Sequence, residues 1–141
     1  FKFNFIVNKG VIKMSEQVLL LKVGNALQEG KSPYEATRGN WVLAGEKVKN
    51  NKIKYVVGID NRNLHQVVGI YEPKMWYEVV WIAKDIDNRE MPRFRFDGIE
   101  PTTFTVDDLN KVYDKLLGKF GFGEKAYIPL SELNDLMSLC S

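Results

Sequence analysis

Short apolar stretches of strand length recur along the chain, separated by glycine, proline and charged turns. Val18 to Val23 is largely apolar and ends at a Gly-Asn pair, which predicts a buried strand followed by a turn. Apolar residues then alternate with period two from Ile53 to Ile59, and the pattern resumes from Val67 to Tyr71 after the turn residues Asp60 to Asn63. This arrangement predicts a β-hairpin.

Three further segments have the composition of strands. They are Met75 to Ile82, which follows an interruption at Pro73, then Arg93 to Phe96, and finally Ala126 to Ile128. The charged stretch from Asp85 to Met91 predicts a loop.

Capping signals predict the helices. Ser32 precedes Pro33, with Glu35 three residues after the serine, so a short helical turn should end at Gly39. Thr105 is a good N-cap for one long helix, which Gly118 should close. The apolar face of that helix comprises Val106, Leu109, Tyr113, Leu116 and Leu117. Ser131 should cap a final short helix through Leu139. The chain is therefore expected to be α+β, with about five or six strands in a small curved sheet or open β-barrel, one main helix and short flanking helices.

Length and composition fit a single domain. The chain has 141 residues, of which 45% are hydrophobic and 27% charged, and it contains no apolar run near the roughly 18 residues of a membrane span. The one cysteine, Cys140, favours a reducing compartment, and we expect a cytoplasmic protein. Met14-Ser15-Glu16 resembles a natural start, so residues 1–13 are interpreted as a leader and 14–141 as the domain. The rival interpretation makes Phe3 to Val7 a further strand.

Charge is unevenly distributed along the chain. The net charge is +2, but Phe1 to Ile70 holds eleven Lys/Arg against five Asp/Glu, a balance of +6, and the remainder has nine against thirteen, a balance of −4. A basic half could attract a polyanion. The alternative is that the imbalance forms no patch in space.

Few residues have the chemistry that catalysis or metal binding requires. One histidine, His65, and one cysteine cannot supply the three or four ligands of a zinc site. A carboxylate site from Asp85, Asp87 and Glu90 is conceivable, although such loops are usually just solvated. The glycines of Gly118 to Gly123 follow a helix rather than open one, unlike a phosphate-binding loop. We therefore expect no enzymatic activity, no cofactor and no metal.

Two segments are candidate binding sites. Tyr34 to Trp41 combines Glu35, Arg38 and two aromatic rings, so that Arg38 could contact a phosphate and Trp41 could stack on a base, or both could be structural. In Arg93-Phe94-Arg95-Phe96, alternation directs both arginines to one face and both phenylalanines to the core. Trp76, Tyr77 and Trp81 add aromatic candidates, of which at least one should be core.

Several of these motifs occur in a recognisable order. They are Tyr34-Glu-Ala-Thr-Arg-Gly-Asn-Trp41, Tyr55-Val-Val-Gly-Ile59, Val67-Val-Gly-Ile-Tyr71, Trp76-Tyr77, Arg93-Phe-Arg-Phe-Asp-Gly98, Leu117-Gly-Lys119 and Phe122-Gly123. From Val18 to Ile128 the chain resembles a family of small prokaryotic and phage-type proteins, also seen beside restriction-associated modules. That family is similar to the PUA-like barrels, which include the PUA, ASCH and EVE modules.

The resemblance implies a PUA-like fold and binding to RNA or modified DNA bases. It would place Lys31, Glu35 and Arg38 along the cleft of the barrel, with Trp41 and Trp76 as stacking residues. The chain departs from the ASCH pattern Gly-x-Lys-x-x-Glu-x-Arg, because Gly30-Lys31, Glu35 and Arg38 supply the same residue types at a different spacing.

The leading hypothesis is a non-catalytic module that binds nucleic acid or a modified nucleotide. Arg38, Arg93 and Arg95 would contact phosphate, and Trp41, Trp76 or Tyr77 would stack on a base. The alternatives are a protein–protein interaction module of the phage or restriction-associated accessory type, and a hydrolase that uses Glu35 as its base. No membrane association is expected.

Overall fold

A computed structural model describes residues 16–50, 52–62, 66–84, 90–121 and 123–139, and for 80–84, 90 and 91 it describes the backbone alone. The expected leader 1–13, His65, Cys140 and residues 85–89 of the expected loop Asp85 to Met91 lie outside these ranges, whereas Glu90 and Met91 begin a strand, so the loop prediction is wrong there. The strands are β1 (Gln17–Lys22), β2 (Trp41–Val42), β3 (Ile53–Asp60), β4 (Gln66–Lys84), β5 (Glu90–Ile99) and β6 (Lys125–Pro129). The helices are α1 (Gly24–Gln28), α2 (Pro33–Arg38), α3 (Gly45–Lys49), α4 (Val106–Asn110), α5 (Tyr113–Leu117) and α6 (Leu130–Ser138). None of the described helices is long and apolar enough to cross a membrane.

The strands form one six-stranded sheet in the order β2-β5-β4-β3-β1-β6. Only the β1–β3 pair is parallel, and every other pair within this described sheet is antiparallel. The sheet curls into a half-barrel whose two ends approach each other, since the Lys125 ammonium on β6 donates to the Val42 carbonyl on β2. This confirms the expected α+β class, with a small curved sheet and short flanking helices.

The long strand β4 causes much of this curl. It has 19 residues, of which Gln66 to Tyr71 pair with β3 and Glu72 to Lys84 pair with β5. The β4–β5 register shifts at Lys74 and again between Val79 and Ala83, and such bulges bend and twist a strand. The expected interruption at Pro73 is wrong, because this proline lies within β4 beside the first bulge, where a missing N–H is tolerated.

Two apolar cores lie on the two sides of the sheet. The helix-side core packs α4, α5 and α6 against the sheet and comprises Val18, Leu20, Tyr55, Val57, Ile59, Val67, Ile70, Leu109, Val112, Tyr113, Leu116, Ile128 and Leu133. The barrel core comprises Leu19, Leu21, Val23, Ala36, Leu43, Val48, Ile53, Val56, Tyr71, Phe94 and Phe96. Leu19 on β1 and Phe96 on β5 share the barrel core although two strands separate them in the sheet. Their side chains therefore point into the concave side.

The predicted long helix is two short helices. Its start is as expected, because Thr105 and Asp108 form a capping box. At the junction Lys111 N donates to Asp108 O (3.2 Å) and Val112 N to Leu109 O (3.1 Å), which are bonds of three-residue spacing. This tighter winding changes the helix phase, so that Val112 as well as Leu109 is buried. The prediction of one continuous helix is therefore wrong.

Other helix boundaries also differ from expectation. The predicted turn at Gly24-Asn25 begins α1, and Gly45–Lys49, for which the sequence predicted no helix, forms α3. The last helix begins at Leu130 after Pro129, so Ser131 lies within its first turn and is not its cap. Local composition did not reveal these one-turn helices, since isolated helices so short are held mainly by packing.

Helix α2 is positioned by a close contact with β3. As predicted, the Ser32 hydroxyl caps the helix by accepting from Glu35 N (3.2 Å). Thr37 is fully buried, and its hydroxyl donates to the Pro33 carbonyl (2.7 Å). The Thr37 hydroxyl lies directly over Gly58, where a methyl group would overlap it. A glycine on β3 thus sets how closely α2 approaches the sheet.

We expect Gly58→Ala to destabilise the domain by about 1–3 kcal/mol, because Thr37 and α2 must shift to admit the methyl group. The free energy of unfolding would be measured by urea denaturation. Gly121→Ala is the matched control, since a methyl group there meets no atom within 4 Å, and it should change stability by no more than about 0.5 kcal/mol. Equal stability of the two variants would contradict the proposed contact.

Candidate functional site

The ribbon formed by β4 and β5 carries three of the predicted binding residues on one surface. Arg95 lies opposite Tyr77 in the antiparallel register, and Asp97 follows two residues later on the same face. Phe94 and Phe96 point the other way and are 2% and 0% exposed in the barrel core. The predicted alternation of this strand is therefore confirmed. We call the surface formed by Met75, Tyr77, Arg93, Arg95 and Asp97 the outer face of the ribbon.

Asp97 is the centre of the polar contacts on this face. Its Oδ2 accepts a 2.6 Å hydrogen bond from the Tyr77 hydroxyl, and its Oδ1 pairs with Arg38 Nη2. The Tyr77 hydrogen bond and then the Arg38 guanidinium hold the pKa of the Asp97 carboxyl below its usual value. The same hydrogen bond raises the pKa of Tyr77. Asp97 is thus ionised at neutral pH and fixes two side chains at once.

Arg38 reaches this face across the edge of the sheet. Strand β2 pairs with β5 only at Trp41–Phe94 and Val42–Arg93, which leaves the Phe96 carbonyl without a strand partner on that side. Arg38 Nε donates to this carbonyl (3.0 Å), so the guanidinium takes the place of a longer β2. Its Nη1 is 3.5 Å from Glu35 Oε1, and the Arg38 side chain is only 14% exposed. Arg38 is largely satisfied within the protein.

Tyr34 anchors the start of α2 beneath this arrangement. Its hydroxyl accepts from Gly98 N (3.1 Å), and its ring packs edge-on against Tyr71 with centroids 5.1 Å apart. The Arg38 guanidinium carbon lies 5.2 Å from the centre of the Tyr34 ring. Burial raises the pKa of Tyr71 to about 12, so Tyr71 stays neutral in the barrel core.

Arg95 differs from Arg38 in being exposed. Within the described part of the chain its guanidinium makes no hydrogen bond or ion pair, and its stem lies on Gly39, where a Cβ atom would come within 2.7 Å of it. Arg93, further along the strand, donates from Nη1 to the Asn40 carbonyl (3.2 Å). The two arginines of this strand therefore have different environments, with Arg95 the better placed to contact a ligand.

Three predicted residues lie away from the outer face. The Trp41 indole donates to the Thr37 carbonyl (2.8 Å) and packs against the barrel core, which matches the structural interpretation of this residue. Lys31 pairs with Glu29 (3.7 Å) ahead of α2. Trp76 packs on Phe96 with ring centroids 5.2 Å apart, on the face of β4 opposite Tyr77.

Trp76 also lines an open groove of about 370 Å³ between α3 and β4. We call it the Trp76 groove. Its other lining residues are Val48, Lys49, Lys74, Met75, Glu78 and Phe94. The groove thus lies mainly on the side of β4 opposite the outer face, and it meets that face at Met75.

Sequence reasoning missed the two residues that organise the site, Asp97 and Tyr34. A signal for Asp97 was present, because the alternation that aligns Arg93 with Arg95 continues to Asp97. Tyr34 gave no comparable signal, since its role depends on contact with Gly98, 64 residues later.

The described residues contain no group of three His, Cys, Asp or Glu side chains that could hold a metal ion. Comparison of the chain with protein-family models, with curated proteins and with solved structures returns no match. By its fold the protein is a small α+β half-barrel domain, and the outer face of its β4–β5 ribbon carries arginine and tyrosine side chains.

Asp97→Asn should destabilise the domain at neutral pH, since it removes the charge that pairs with Arg38. The folded-state pKa of Asp97 is lowered, so the stability it contributes is present above the unfolded-state value of about 3.9 and is lost as the pH falls through the folded-state pKa. Urea midpoints of wild type and variant should therefore differ at pH 7 and converge towards pH 2. An unchanged difference across this range would contradict the role of the charge.

Proposed function

We propose that this domain is a non-catalytic module of the PUA-like type that binds nucleic acid, including modified bases, through the outer face of its β4–β5 ribbon. The observation that carries the proposal is the placement of the exposed Arg95 guanidinium directly opposite the exposed Tyr77 ring. Together they offer a phosphate contact and a stacking surface one strand spacing apart, about 5 Å.

The charge of this face supports an anionic ligand. Three arginines, at 38, 93 and 95, stand against the carboxylates of Glu35 and Asp97, which leaves a local balance of +1. Because Asp97 and Glu35 are both engaged by Arg38, Arg95 keeps its charge available to solvent. A planar guanidinium suits the oxygens of a phosphate group.

Tyr77 has the properties of a stacking residue. It is 39% exposed, and its hydroxyl is held by Asp97. Because the Tyr77 side chain is already ordered, it would lose little conformational freedom when a base stacks on its ring. Stacking on an aromatic ring requires a base with an uncovered face, and in a duplex the faces of each internal base are covered by the adjacent base pairs. The arrangement therefore favours single-stranded over double-stranded nucleic acid.

In this proposal Arg38 positions the site and does not contact phosphate, contrary to the expectation from sequence. Its guanidinium is committed to the Phe96 carbonyl and to Asp97, and Asp97 in turn orients Tyr77. Loss of Arg38 would leave Asp97 without its cation, so binding and folding would both change.

A protein–protein interaction module is the second candidate, and exposed apolar side chains favour it. Met75 is 55% exposed on the outer face, and Ile99, which continues the same alternation on β5, is 54% exposed. Binding to a protein partner through these side chains would depend little on salt, in contrast to binding of a polyanion.

Arg95→Gln should weaken binding of fluorescein-labelled single-stranded DNA and RNA in fluorescence polarisation. If Arg95 contacts one phosphate, the slope of log K against log salt should fall by about 0.7–1. Lys115→Gln is the charge-matched control, since Lys115 lies on α5, which packs on the helix-side core and not on the outer face, and it should leave the slope nearly unchanged. No binding of any oligonucleotide by wild type at low salt, modified bases included, would overturn the proposal.

Tyr77→Leu should cost about 1–3 kcal/mol in binding of single strands, because the stacking surface is lost. Tyr77→Phe keeps the ring but not the bond to Asp97, so it should bind more tightly than the leucine variant. Isothermal titration with one single-stranded oligonucleotide and its duplex would compare both variants with wild type. Equal affinities of the leucine and phenylalanine variants for the single strand would argue against stacking.

A further inference from the structure

The Trp76 groove combines an aromatic wall with groups of both charges. Trp76 is half-buried and packs on Phe96, while Phe94, at 2% exposure, lies at the base of the groove. The indole N–H of Trp76 makes no hydrogen bond with a described residue. A volume of about 370 Å³ falls in the range of small-molecule sites, roughly 300–1,000 Å³.

Two lysines place positive charge at the groove. Lys49 projects from α3 and makes no ion pair with any described residue, whereas Lys74, at the bulge of β4, is 3.3 Å from Glu72 and 53% exposed. Since Glu72 is also 3.2 Å from Lys54, one carboxylate serves two ammonium groups there. The lysines can therefore attract an anionic group such as phosphate.

Glu78 supplies the opposite chemistry. It is exposed, lies two residues from Trp76 on the same face of β4, and makes no ion pair within the described part of the chain. A carboxylate accepts hydrogen bonds at two adjacent oxygens and donates none. It therefore selects for a ligand that has neighbouring N–H donors in the plane of a ring stacked on Trp76.

We infer that the Trp76 groove binds an unpaired guanine nucleotide. The base stacks on Trp76, Glu78 accepts from its N1–H and 2-amino group, and the ammonium group of Lys49 or Lys74 contacts its phosphate. This inference rests on the proposed function and adds to it a base preference and a second contact surface on the other side of β4. Glu78 is the specificity-determining residue.

The hydrogen-bonding edges of the bases give the reason for guanine. Guanine presents two adjacent donors to a carboxylate. Adenine and cytosine present one amino donor beside a ring-nitrogen acceptor, which repels the second carboxylate oxygen. Uracil and thymine present one N–H between two carbonyl groups. A carboxylate beside an aromatic ring thus favours guanine over the other bases.

The inference can be tested with mononucleotides on the intact chain. Each tryptophan of the ¹⁵N-labelled protein gives one indole N–H signal, and Trp76→Phe identifies that of Trp76. Titration with GMP should shift this signal at lower concentration than AMP, CMP or UMP. Glu78→Gln, whose amide offers one donor and one acceptor, should reduce the preference for GMP over AMP by about fivefold or more. Glu29→Gln, a carboxylate outside the groove, should leave it unchanged.

The outcomes separate the groove from the outer face. An equal response to inorganic phosphate and GMP, or an unchanged preference in Glu78→Gln, would overturn the inference while Arg95-dependent binding of oligonucleotides remains. Failure of both the mononucleotide and the oligonucleotide experiments would overturn the proposed function itself. If a short guanine-containing single strand shifts the Trp76 signal at lower concentration than GMP does, the ligand is a nucleotide within a strand. If GMP shifts the signal at lower concentration than the strand does, the ligand is a free nucleotide.

Discussion

The change of partner along β4 is the constraint on which the rest of this structure depends. One strand of 19 residues pairs first with β3 and then with β5, and it bulges beyond the point of exchange. Because the second part of β4 also bulges twice against β5, the strand bends and twists, and the sheet curls. The curl creates the concave space that the barrel core fills, and the second part of β4 forms a ribbon with β5. Both candidate ligand surfaces lie on that ribbon.

Within this frame a single carboxylate organises the outer face. One oxygen of Asp97 pairs with Arg38, which comes from α2 and also bonds the edge of β5, and the other accepts from the Tyr77 hydroxyl. Asp97 and Arg38 offset each other's charge, so the local field depends on the arginines that remain, above all Arg95. A cluster of this kind combines a hydrogen-bonded ion pair with an adjacent cation, Arg95, that makes no hydrogen bond or ion pair with a described residue. The ion pair fixes the geometry, and the cation attracts an anion.

The sequence predicted those features that depend on local signals. The β3–β4 hairpin follows from period-two alternation and turn residues, the cap of α2 from Ser32 and Pro33, and the orientation of Phe94 and Phe96 from strand alternation. Each of these needs only a few consecutive residues, and each was confirmed. The curved sheet and the α+β class followed from the number and length of such segments.

The remaining features depend on contacts distant in sequence. Arg38 meets Asp97 across 59 residues, and the strand edge between them exists only once β2 has paired with β5. For that reason the sequence predicted Arg38 as a phosphate contact, although in the fold its guanidinium is hydrogen-bonded to the Phe96 carbonyl and to Asp97. The break between α4 and α5 likewise depends on what the helices bury, since the capping signal at Thr105 is equally compatible with one long helix.

The guanidinium that Arg38 places on the Phe96 carbonyl also affects how the sheet behaves towards other molecules. Strand β2 covers only two residues of β5, and an uncovered strand edge offers its backbone groups as a template for any extended chain in solution. Arg38 occupies part of this edge with a charged side chain, and an incoming strand that displaced it would separate Asp97 from its paired cation. The residue that fixes Asp97 on the outer face thereby also covers part of a strand edge with a charge, which is one way in which natural sheets avoid edge-to-edge pairing.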